Sequence, residues 1–290
     1  MLAQLATRAA EAILQIIKTP KISDDEWFEL QFDPTLAREK FGIEIPRLPS
    51  DDIQIGFTGL SGRQNLRQAF NFYRHTLSHC PLSAKSRALD FGCGWGRISR
   101  FFLRELPPKN IYVADTMEFA IECLRNIGAP FAVIHNQPRP PIHGITEPLD
   151  LVVSYSVFSH LSQEYFHAWT DHLLGLLRSG GYFVFTTRGQ FFIDHLKQLH
   201  AAKEEPHAVL AEHIRRLKEE MPPPIEIERR YLDGEFQFYP IGGAGELTSD
   251  FFGEAFIPRS YVERHYPKHF IDFTETVPHD VPIIILRKPS

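Results

Sequence analysis

The sequence predicts an α/β protein whose sheet is mostly parallel and includes an antiparallel C-terminal strand. Apolar runs alternate with helical segments between residues 87 and 186, which is the pattern of parallel strands joined by right-handed crossovers. A turn with alternate glycines lies at residues 92–96, directly after the first of these strands. The strand-like runs 270–276 and 281–286 are joined by a link too short for a crossover helix, so an antiparallel hairpin is predicted.

Composition limits the classes of function. The chain has 290 residues, of which 43% are hydrophobic and 23% charged, as in a globular protein with a substantial core. A net charge of −5 argues against a nucleic-acid-binding surface. Three widely spaced cysteines without a C-x-x-C pair predict a reducing, cytoplasmic setting and no structural zinc. No apolar run approaches the ~20 residues of a membrane span, so no stable membrane insertion is expected.

Residues 1–62 are predicted to be a helical extension of the main domain, which spans residues 63–290. The first 18 residues carry apolar side chains at helical spacing, and we expect a docking or dimerising helix there, which would allow a homodimer. A membrane-surface helix is the alternative. Four prolines between residues 20 and 49 are expected to break the rest into short pieces. Residues 56–62 are interpreted as a flexible turn before a helix over 63–78.

Five strands and a long helix are expected in the first part of the main domain. The strands are predicted at residues 87–91, 111–114, 131–134, 149–153 and 182–186. A helix over 162–178 joins the last two, because Arg178 suits its last turn and Gly180-Gly181 would end it.

Residues 190–256 are predicted to be an insertion between the fifth and sixth strands. Its first half has helical spacing and ends near Met221. The runs 225–232 and 235–239 flank Asp233-Gly234, which favours a β-hairpin. Three glycines at 242, 243 and 245 are expected to form a mobile turn. The many aromatic residues exceed the need of a solvated linker, so we expect some of them to bury the insertion against the main sheet and others to line an acceptor pocket that the insertion caps.

The glycine-rich turn from Asp90 to Gly96 predicts a bound ligand. Glycines carry no Cβ, so the backbone can approach a ligand closely, and the helix expected next would direct free N–H groups to the same place. The spacing D-x-G-x-G-x-G puts Arg97 where a dinucleotide fingerprint needs its third glycine, which disfavours a dehydrogenase. A tight turn without a ligand is the alternative.

Asp115 is a candidate for binding the ribose of a nucleoside. It lies at the tip of the second strand, 19 residues after Gly96, where nucleotide-binding βαβ units carry an acid that accepts from ribose hydroxyls. This spacing supports a nucleoside without identifying it. The alternative is a capping role at the next helix.

Three segments in the correct order resemble the class I S-adenosylmethionine-dependent methyltransferases. Residues 90–97 resemble their motif I in the bacterial variant G-C-G-W-G-R, and residues 150–161, with S-V-F-S-H-L, resemble motif IV. Residues 177–181 resemble the turn before strand five, with Ser179 in place of the usual proline. With the terminal hairpin, these segments identify the chain as a member of that family with a Rossmann-like sheet, and imply S-adenosyl-L-methionine as the cofactor.

The resemblance also implies cofactor contacts. Asp90 would face the ammonium group of the methionine moiety, and Asn136 would meet the adenine edge or be a plain turn residue. Met117 would be an apolar floor for adenine or a core residue, and Thr58 and Arg63 are weaker contact candidates. The predicted cofactor-binding residues are Asp90, Gly92, Gly94, Gly96, Asp115, Thr116, Met117, Asn136 and Ser154.

His160 is the predicted catalytic residue. It follows the fourth strand on the side where acceptors bind, and an imidazole has a suitable pKa for a base. The alternative is a helix-start histidine packed beneath the cofactor. The predicted acceptor-pocket residues are Tyr155, Arg188, Tyr239, Glu254 and His265. Metal-dependent members need clustered acids near strand four, where only Asp150 is found, so no metal is predicted.

The function predicted from the sequence is methyl transfer from S-adenosylmethionine to a small-molecule or glycan acceptor, with oxygen favoured as the methylated atom. A nitrogen acceptor is the nearest alternative, because it needs less help from a base. A catalytically silent cofactor-binding partner subunit is an alternative of a different class.

Overall fold

A seven-stranded sheet forms the centre of the computed structural model, which describes residues 22–201, 211–241, 243, 246–275 and 281–290. The strands are β1 (Ala88–Phe91), β2 (Ile111–Asp115), β3 (Ala132–His135), β4 (Leu149–Ser154), β5 (Leu177–Thr186), β6 (Gln237–Tyr239), β7 (Glu254–Phe256), β8 (Phe270–Thr274) and β9 (Ile283–Arg287). The large sheet has the order β3-β2-β1-β4-β5-β9-β8, and β6 pairs with β7 in a small separate sheet.

The pairing directions confirm the predicted sheet. Strands β3, β2, β1, β4 and β5 are mutually parallel, and β9 pairs antiparallel with β5 and with β8. The antiparallel C-terminal strand therefore lies between two strands of the opposite direction. The predicted hairpin is present, although its link at 277–280 lies outside the described residues.

Ten α-helices surround the sheets in the part of the chain that the structure describes. They are α1 (Asp24–Leu30), α2 (Pro34–Phe41), α3 (Asp51–Thr58), α4 (Gly62–His79), α5 (Glu118–Asn126), α6 (Gln163–Leu176), α7 (Gln190–Ala201), α8 (Ala211–Glu219), α9 (Pro224–Leu232) and α10 (Arg259–His265). Helices α4 and α6 confirm the two long helices expected at 63–78 and 162–178, but α6 ends at Leu176, so Arg178 lies in β5 rather than in the last turn of the helix. The predicted docking helix at 1–18 lies outside the described residues. None of the described helices has the length and apolar character needed to cross a bilayer.

The described part of the N-terminal segment packs into the same core as β1. Trp27 is fully buried, and its indole N–H donates to the carbonyl of Phe101 at 3.0 Å. The buried guanidinium of Arg100 donates to Gln31 Oε1 at 2.9 Å and to the carbonyl of Pro46 at 2.8 Å. These long-range contacts fix short helices that would be marginal on their own.

Two local predictions are wrong for physical reasons. The predicted hairpin at 225–239 is replaced by helix α9, in which Ile227 and Tyr231, one turn apart, are buried in a small core shared with α7. Strand β6 pairs with β7 instead. The segment after the glycine-rich turn forms a 3₁₀-helix, Ser99–Arg104, rather than an α-helix, and the carbonyl of Phe101 in it accepts from Trp27.

The predicted flexible turn at 56–62 is also only partly correct. Residues 56–58 belong to α3, which ends at Gly59 with a left-handed φ of 74°, and α4 begins at Gly62. Of the glycines expected in a mobile turn, residues 242 and 245 lie outside the described residues.

Candidate functional site

A cavity of about 290 Å³ opens where β1, β2 and β4 end. The glycine-rich turn and the segments after β2, β3 and β4 form its floor, while α3 and residues 247–252 cover it. Its lining includes Phe57, Thr58, Asp90, Gly92, Gly94, Trp95, Arg97, Asp115, Thr116, Met117, Asn136, Pro138, Tyr155, Ser156, Val157, His160, Leu161, Trp169, Leu247, Phe251 and Phe252. The carboxyl ends of parallel strands therefore form the site, as is usual in open α/β sheets.

Asp90 is a buried carboxyl group on the cavity wall, with 2% of its surface exposed. The backbone N–H of Ser99 donates to its Oδ2 at 3.1 Å, and the Ser99 hydroxyl donates to the same oxygen. Burial raises the pKa of Asp90 to about 6, although these hydrogen bonds act in the opposite direction. Because both bonds reach Oδ2, Oδ1 is the oxygen that can accept from a ligand.

The backbone of the glycine-rich turn lies close to the segment after β4. Gly92 has a left-handed φ of 72°, and a Cβ at this position would lie 2.1 Å from Val157 Cγ2. Gly94 has a φ of 53°, and its Cβ would lie 3.2 Å from the Phe57 ring. A side chain at Gly92 would therefore be both strained and in collision with the cavity wall.

Asp115 holds the turn and retains capacity for a ligand. Its Oδ2 accepts from the Gly94 N–H at 2.8 Å, and its Oδ1 accepts from the Met117 N–H at 2.9 Å. A carboxylate has about four lone-pair sites, so this group can accept a further bond from a ligand. Burial raises the pKa of Asp115 against the effect of these bonds. Two such oxygens match the adjacent hydroxyls of a ribose.

Asn136 presents a buried acceptor to the cavity. Its amide N–H donates to the carbonyl of Gln137 at 2.8 Å, while its Oδ1 has no hydrogen-bond partner among the described residues. An unsatisfied buried acceptor costs about 1–3 kcal/mol, which a ligand N–H would recover. The residues present therefore fit a nucleoside, with an acceptor for an exocyclic amine and another for a ribose.

Two of the predicted cofactor residues, Gly96 and Ser154, support the glycine-rich turn through packing and a hydrogen bond. A Cβ on Gly96 would lie 3.1 Å from Leu124 and 3.3 Å from Phe131, so this glycine allows close packing of α5. The Ser154 hydroxyl donates to the carbonyl of Phe91 at 2.9 Å and is fully buried. Of the weaker candidates, Thr58 lines the cavity and Arg63 forms an ion pair with Glu29.

Arg97 is a cavity residue to which the sequence assigned no contact. It is buried, and its Nη1 donates to Asn65 Oδ1 at 2.9 Å and to Gln68 Oε1 at 3.0 Å. Its guanidinium lies 4.6 Å from the centre of the Tyr155 ring. Arg97 also lowers the pKa of Asp90 electrostatically, so a cation and a carboxyl group occupy the same end of the cavity. The signal in the sequence that could have placed Arg97 in the cavity was its position at the end of the G-C-G-W-G-R motif.

His160 lies on the cavity wall in a defined orientation. Its Nδ1 is 2.7 Å from the carbonyl of Gly253, and because a carbonyl can only accept, Nδ1 carries the proton. Nε2 is then the basic nitrogen. The ring stacks on Phe252 at 4.8 Å with 9° between the planes.

A buried ion pair between Glu254 and Arg188 lies next to His160. Glu254 is 1% exposed, its Oε1 lies 3.6 Å from His160 Nδ1, and its Oε2 accepts from Arg188 Nε at 2.8 Å. Arg188 and Glu254 were predicted to line the acceptor pocket, and the structure places them beside His160 rather than in the cavity lining.

The other predicted acceptor residues are divided between two places. Tyr155 lines the cavity, next to Arg97. The Tyr239 hydroxyl donates to Gln237 Oε1 at 2.7 Å in the small sheet, and His265 stacks on Tyr261 at 4.0 Å in α10. Neither Tyr239 nor His265 belongs to the lining of this cavity.

The sequence did not single out Ser156 or Leu247, and it counted Phe251 and Phe252 only among the aromatic residues of the insertion. Ser156 has a left-handed φ of 61°, rare for a residue with a side chain, and its N–H donates to Thr186 Oγ1 at 2.8 Å. Phe251, Phe252 and Leu247 reach the cavity from the insertion. The aromatic pair at 251–252 was visible in the sequence, but its direction depends on the pairing of β7.

Comparison with known proteins gives a family match for the central part of the chain. Residues 89–183 match the family model described as a methyltransferase domain. The biotin biosynthesis bifunctional protein BioCD of Bordetella avium is 27% identical over 198 residues, covering 65% of this chain and 39% of that protein. The chain thus spans about two fifths of the length of this curated relative.

Two solved structures are similar to this chain at low sequence identity. The 1,6-didemethyltoxoflavin-N1-methyltransferase of Burkholderia thailandensis has a TM-score of 0.51 and 12% identity, covering 83% of this chain and 86% of that one. The N-methyltransferase NodS of Bradyrhizobium japonicum has a TM-score of 0.45 and 13% identity, covering 78% and 88%. The first of these similarities supports a common fold.

Proposed function

We propose that this chain, an S-adenosylmethionine-dependent methyltransferase with a class I fold, methylates a hydroxyl group of a small-molecule or glycan acceptor with His160 as the base. The observation that carries the proposal is the hydrogen bond between His160 Nδ1 and the carbonyl of Gly253. It fixes the tautomer in which Nε2 can accept a proton on the cavity side.

The cavity residues support one orientation of the cofactor. Asp115 would accept from the ribose hydroxyls, and Asn136 Oδ1 would accept from the adenine amine. Asp90 Oδ1 would pair with the ammonium of the methionine moiety. This assignment uses one buried acceptor for each polar end of the cofactor.

The residues around His160 support proton transfer during the reaction. When bound, the cofactor supplies a methyl group on a positively charged sulfur, and an acceptor oxygen that attacks it must lose its proton. His160 Nε2 would take that proton. The Gly253 carbonyl and the Glu254 carboxylate would stabilise the resulting imidazolium, while the hydrogen bond from Arg188 holds Glu254 in position.

The character of the cavity wall supports an uncharged acceptor with an apolar face. Leu247, Phe251 and Phe252 reach it from the insertion, which supports the role of residues 190–256 as an acceptor cap. In the described lining, Arg97 is the one lysine or arginine, and its Nη1 is held by Asn65 and other acceptors of α4. A phosphorylated acceptor would therefore lack a dedicated partner on the described wall.

The test is a His160→Gln variant assayed with a panel of hydroxyl and amine acceptors. We expect turnover to fall by about 10²-fold or more while the affinity for S-adenosylhomocysteine stays within a few-fold, because only the base is lost. A His265→Gln variant is the matched control, since this histidine does not belong to the described cavity lining, and it should retain full turnover.

Product analysis by NMR decides which atom receives the methyl group. An O-methyl product, lost in His160→Gln, supports the proposal. An N-methyl product with full turnover in His160→Gln would instead establish the nitrogen acceptor. Equal losses of cofactor affinity, stability and turnover in His160→Gln would give His160 a packing role and refute its role as base.

A further inference from the structure

A cluster of three potential metal ligands lies outside the cavity lining. His75 and His79 are one helical turn apart at the C-terminal end of α4, and Asp272 faces them from β8. One nitrogen of each imidazole and one carboxylate oxygen lie within 4.8 Å of one another, and all three residues are half-buried. The prediction of no metal also assumed that the sequence contains no H-x-x-x-H pair, and this assumption is wrong, because His75 and His79 have that spacing.

His79 already has the orientation of a metal ligand. Its Nδ1 is 3.2 Å from the carbonyl of His75 and 3.1 Å from Ser78 Oγ. Because the carbonyl can only accept, Nδ1 carries the proton and Nε2 has its lone pair on the side of Asp272. Metal-bound histidines are regularly oriented in this way by a backbone carbonyl on the other ring nitrogen.

The separation of His79 and Asp272 suits a bridging ion better than a direct hydrogen bond. His79 Nε2 lies 3.8 Å from Asp272 Oδ2, beyond the usual hydrogen-bond range. Two ligands of a tetrahedral zinc ion, each about 2.0–2.2 Å from the metal, are separated by about 3.4 Å. Side-chain shifts of about 1 Å would therefore close the ligand set.

The surroundings favour a cation with nitrogen and oxygen ligands. The C-terminal end of the 18-residue helix α4 carries the negative end of its dipole. Two imidazoles and one carboxylate are a common zinc donor set with solvent as the fourth ligand.

We propose that His75, His79 and Asp272 form a zinc site that ties the end of α4 to strand β8. Helix α4 also carries Asn65, which holds Arg97, and Phe72, whose ring lies 5.1 Å from that of Tyr155. The ion would therefore brace a helix that supports two cavity residues, without taking part in the reaction.

Zinc titration of the metal-stripped full chain tests the site. Calorimetry with zinc sulfate should show one site in the native protein and at least tenfold weaker binding in His79→Gln and in Asp272→Asn. His200→Gln, an exposed histidine at the end of α7, is the matched control and should bind as the native protein does. Zinc should raise the thermal midpoint of the native protein and of His200→Gln only.

X-ray absorption of the zinc-loaded native protein gives a measurement that needs no variant. We expect a shell of nitrogen and oxygen ligands with two imidazoles. A sulfur ligand, or fewer than two imidazoles, would overturn the proposed donor set. Equal zinc affinity in the native protein and in a folded Asp272→Asn variant would reduce the contact to an ordinary histidine–carboxylate pair and overturn the site.

Discussion

The buried carboxyl group of Asp90 is expected to make cofactor binding depend on pH. In the cofactor-free protein its pKa is raised to about 6 by burial, so it is largely protonated at pH 5. In the proposed orientation the ammonium of the cofactor pairs with Asp90 and favours its ionised form, so we expect binding near pH 6 to release a proton from this carboxyl group. Affinity for S-adenosylhomocysteine should therefore fall as the pH drops below this value.

The size of the effect follows from the pKa. At pH 5 about one tenth of Asp90 would be ionised, so the affinity should be about tenfold lower than at pH 7.5. The same shift affects folding, because the folded state binds the proton more tightly than the unfolded state. The stabilisation from protonation, roughly 3 kcal/mol, is complete below the unfolded pKa and is lost as the pH rises through about 6.

Calorimetry between pH 5 and 7.5, in two buffers with different ionisation enthalpies, measures both affinity and proton release. Asp90→Asn should bind more weakly at pH 7.5 and show a flat profile. Ser99→Ala removes a hydroxyl that donates to Asp90 Oδ2 and lowers the pKa of this carboxyl group, so it should move the transition to higher pH.

The charged groups near Asp90 show which results would refute the assignment of the pH dependence to this carboxyl group. Asp115 raises its pKa and Arg97 lowers it. A slope that persists in Asp90→Asn would assign the titration to Asp115 and refute the reasoning. A flat profile in the native protein would show that Asp90 is ionised throughout this range or does not meet the ammonium.

Three further substitutions test other parts of the structure. Gly92→Ala adds left-handed strain of about 1–2 kcal/mol and brings the new Cβ into collision with Val157. Calorimetry should therefore show at least tenfold weaker cofactor binding, partly restored by Val157→Ala. An unchanged affinity would contradict this geometry. Arg188→Ala leaves the Glu254 carboxylate buried without its cation, and urea unfolding should show a loss of about 3–5 kcal/mol; a loss below ~1 kcal/mol would mean that water reaches Glu254. Trp27→Ala should cost about 3–5 kcal/mol in the same assay, whereas a neutral effect would separate the N-terminal segment from the core.

The sheet was predictable because its signals are local. Strands such as β9, in which residues 283–286 are all apolar and buried, produce continuous apolar runs, and the lengths of the links decide between parallel and antiparallel pairing. The segment 225–239 was not predictable in this way. Alternating Ile225 and Ile227 before Asp233-Gly234 fit a hairpin, but burial of Ile227 and Tyr231 against α7 selects the helix. The segment fits the two-residue repeat of a strand and the 3.6-residue repeat of a helix about equally well, and tertiary packing selects the helix.

The candidate site shows the same division between local and distant information. Asp90, Asp115 and Asn136 each follow or end a strand, so the parallel sheet alone brings them to one cavity. His160 and the carbonyl of Gly253 are 93 residues apart, and their contact depends on the course of the insertion. Likewise, the helical spacing of two histidines is readable in the sequence, whereas a carboxylate from a distant strand is not.

Strand β9 links the architecture of this protein to the timing of its synthesis. It is the last of the described strands in the chain, yet it lies inside the sheet with β5 and β8 on either side. While the chain leaves the ribosome, β1 to β5 can pair, but β5 keeps an open edge until residues 283–287 emerge. Open edges invite pairing with other chains, so this nascent intermediate is the species most in need of a chaperone. A premature stop codon only a few residues before the end of β9 would leave that edge open permanently and mark the product for aggregation or proteolysis.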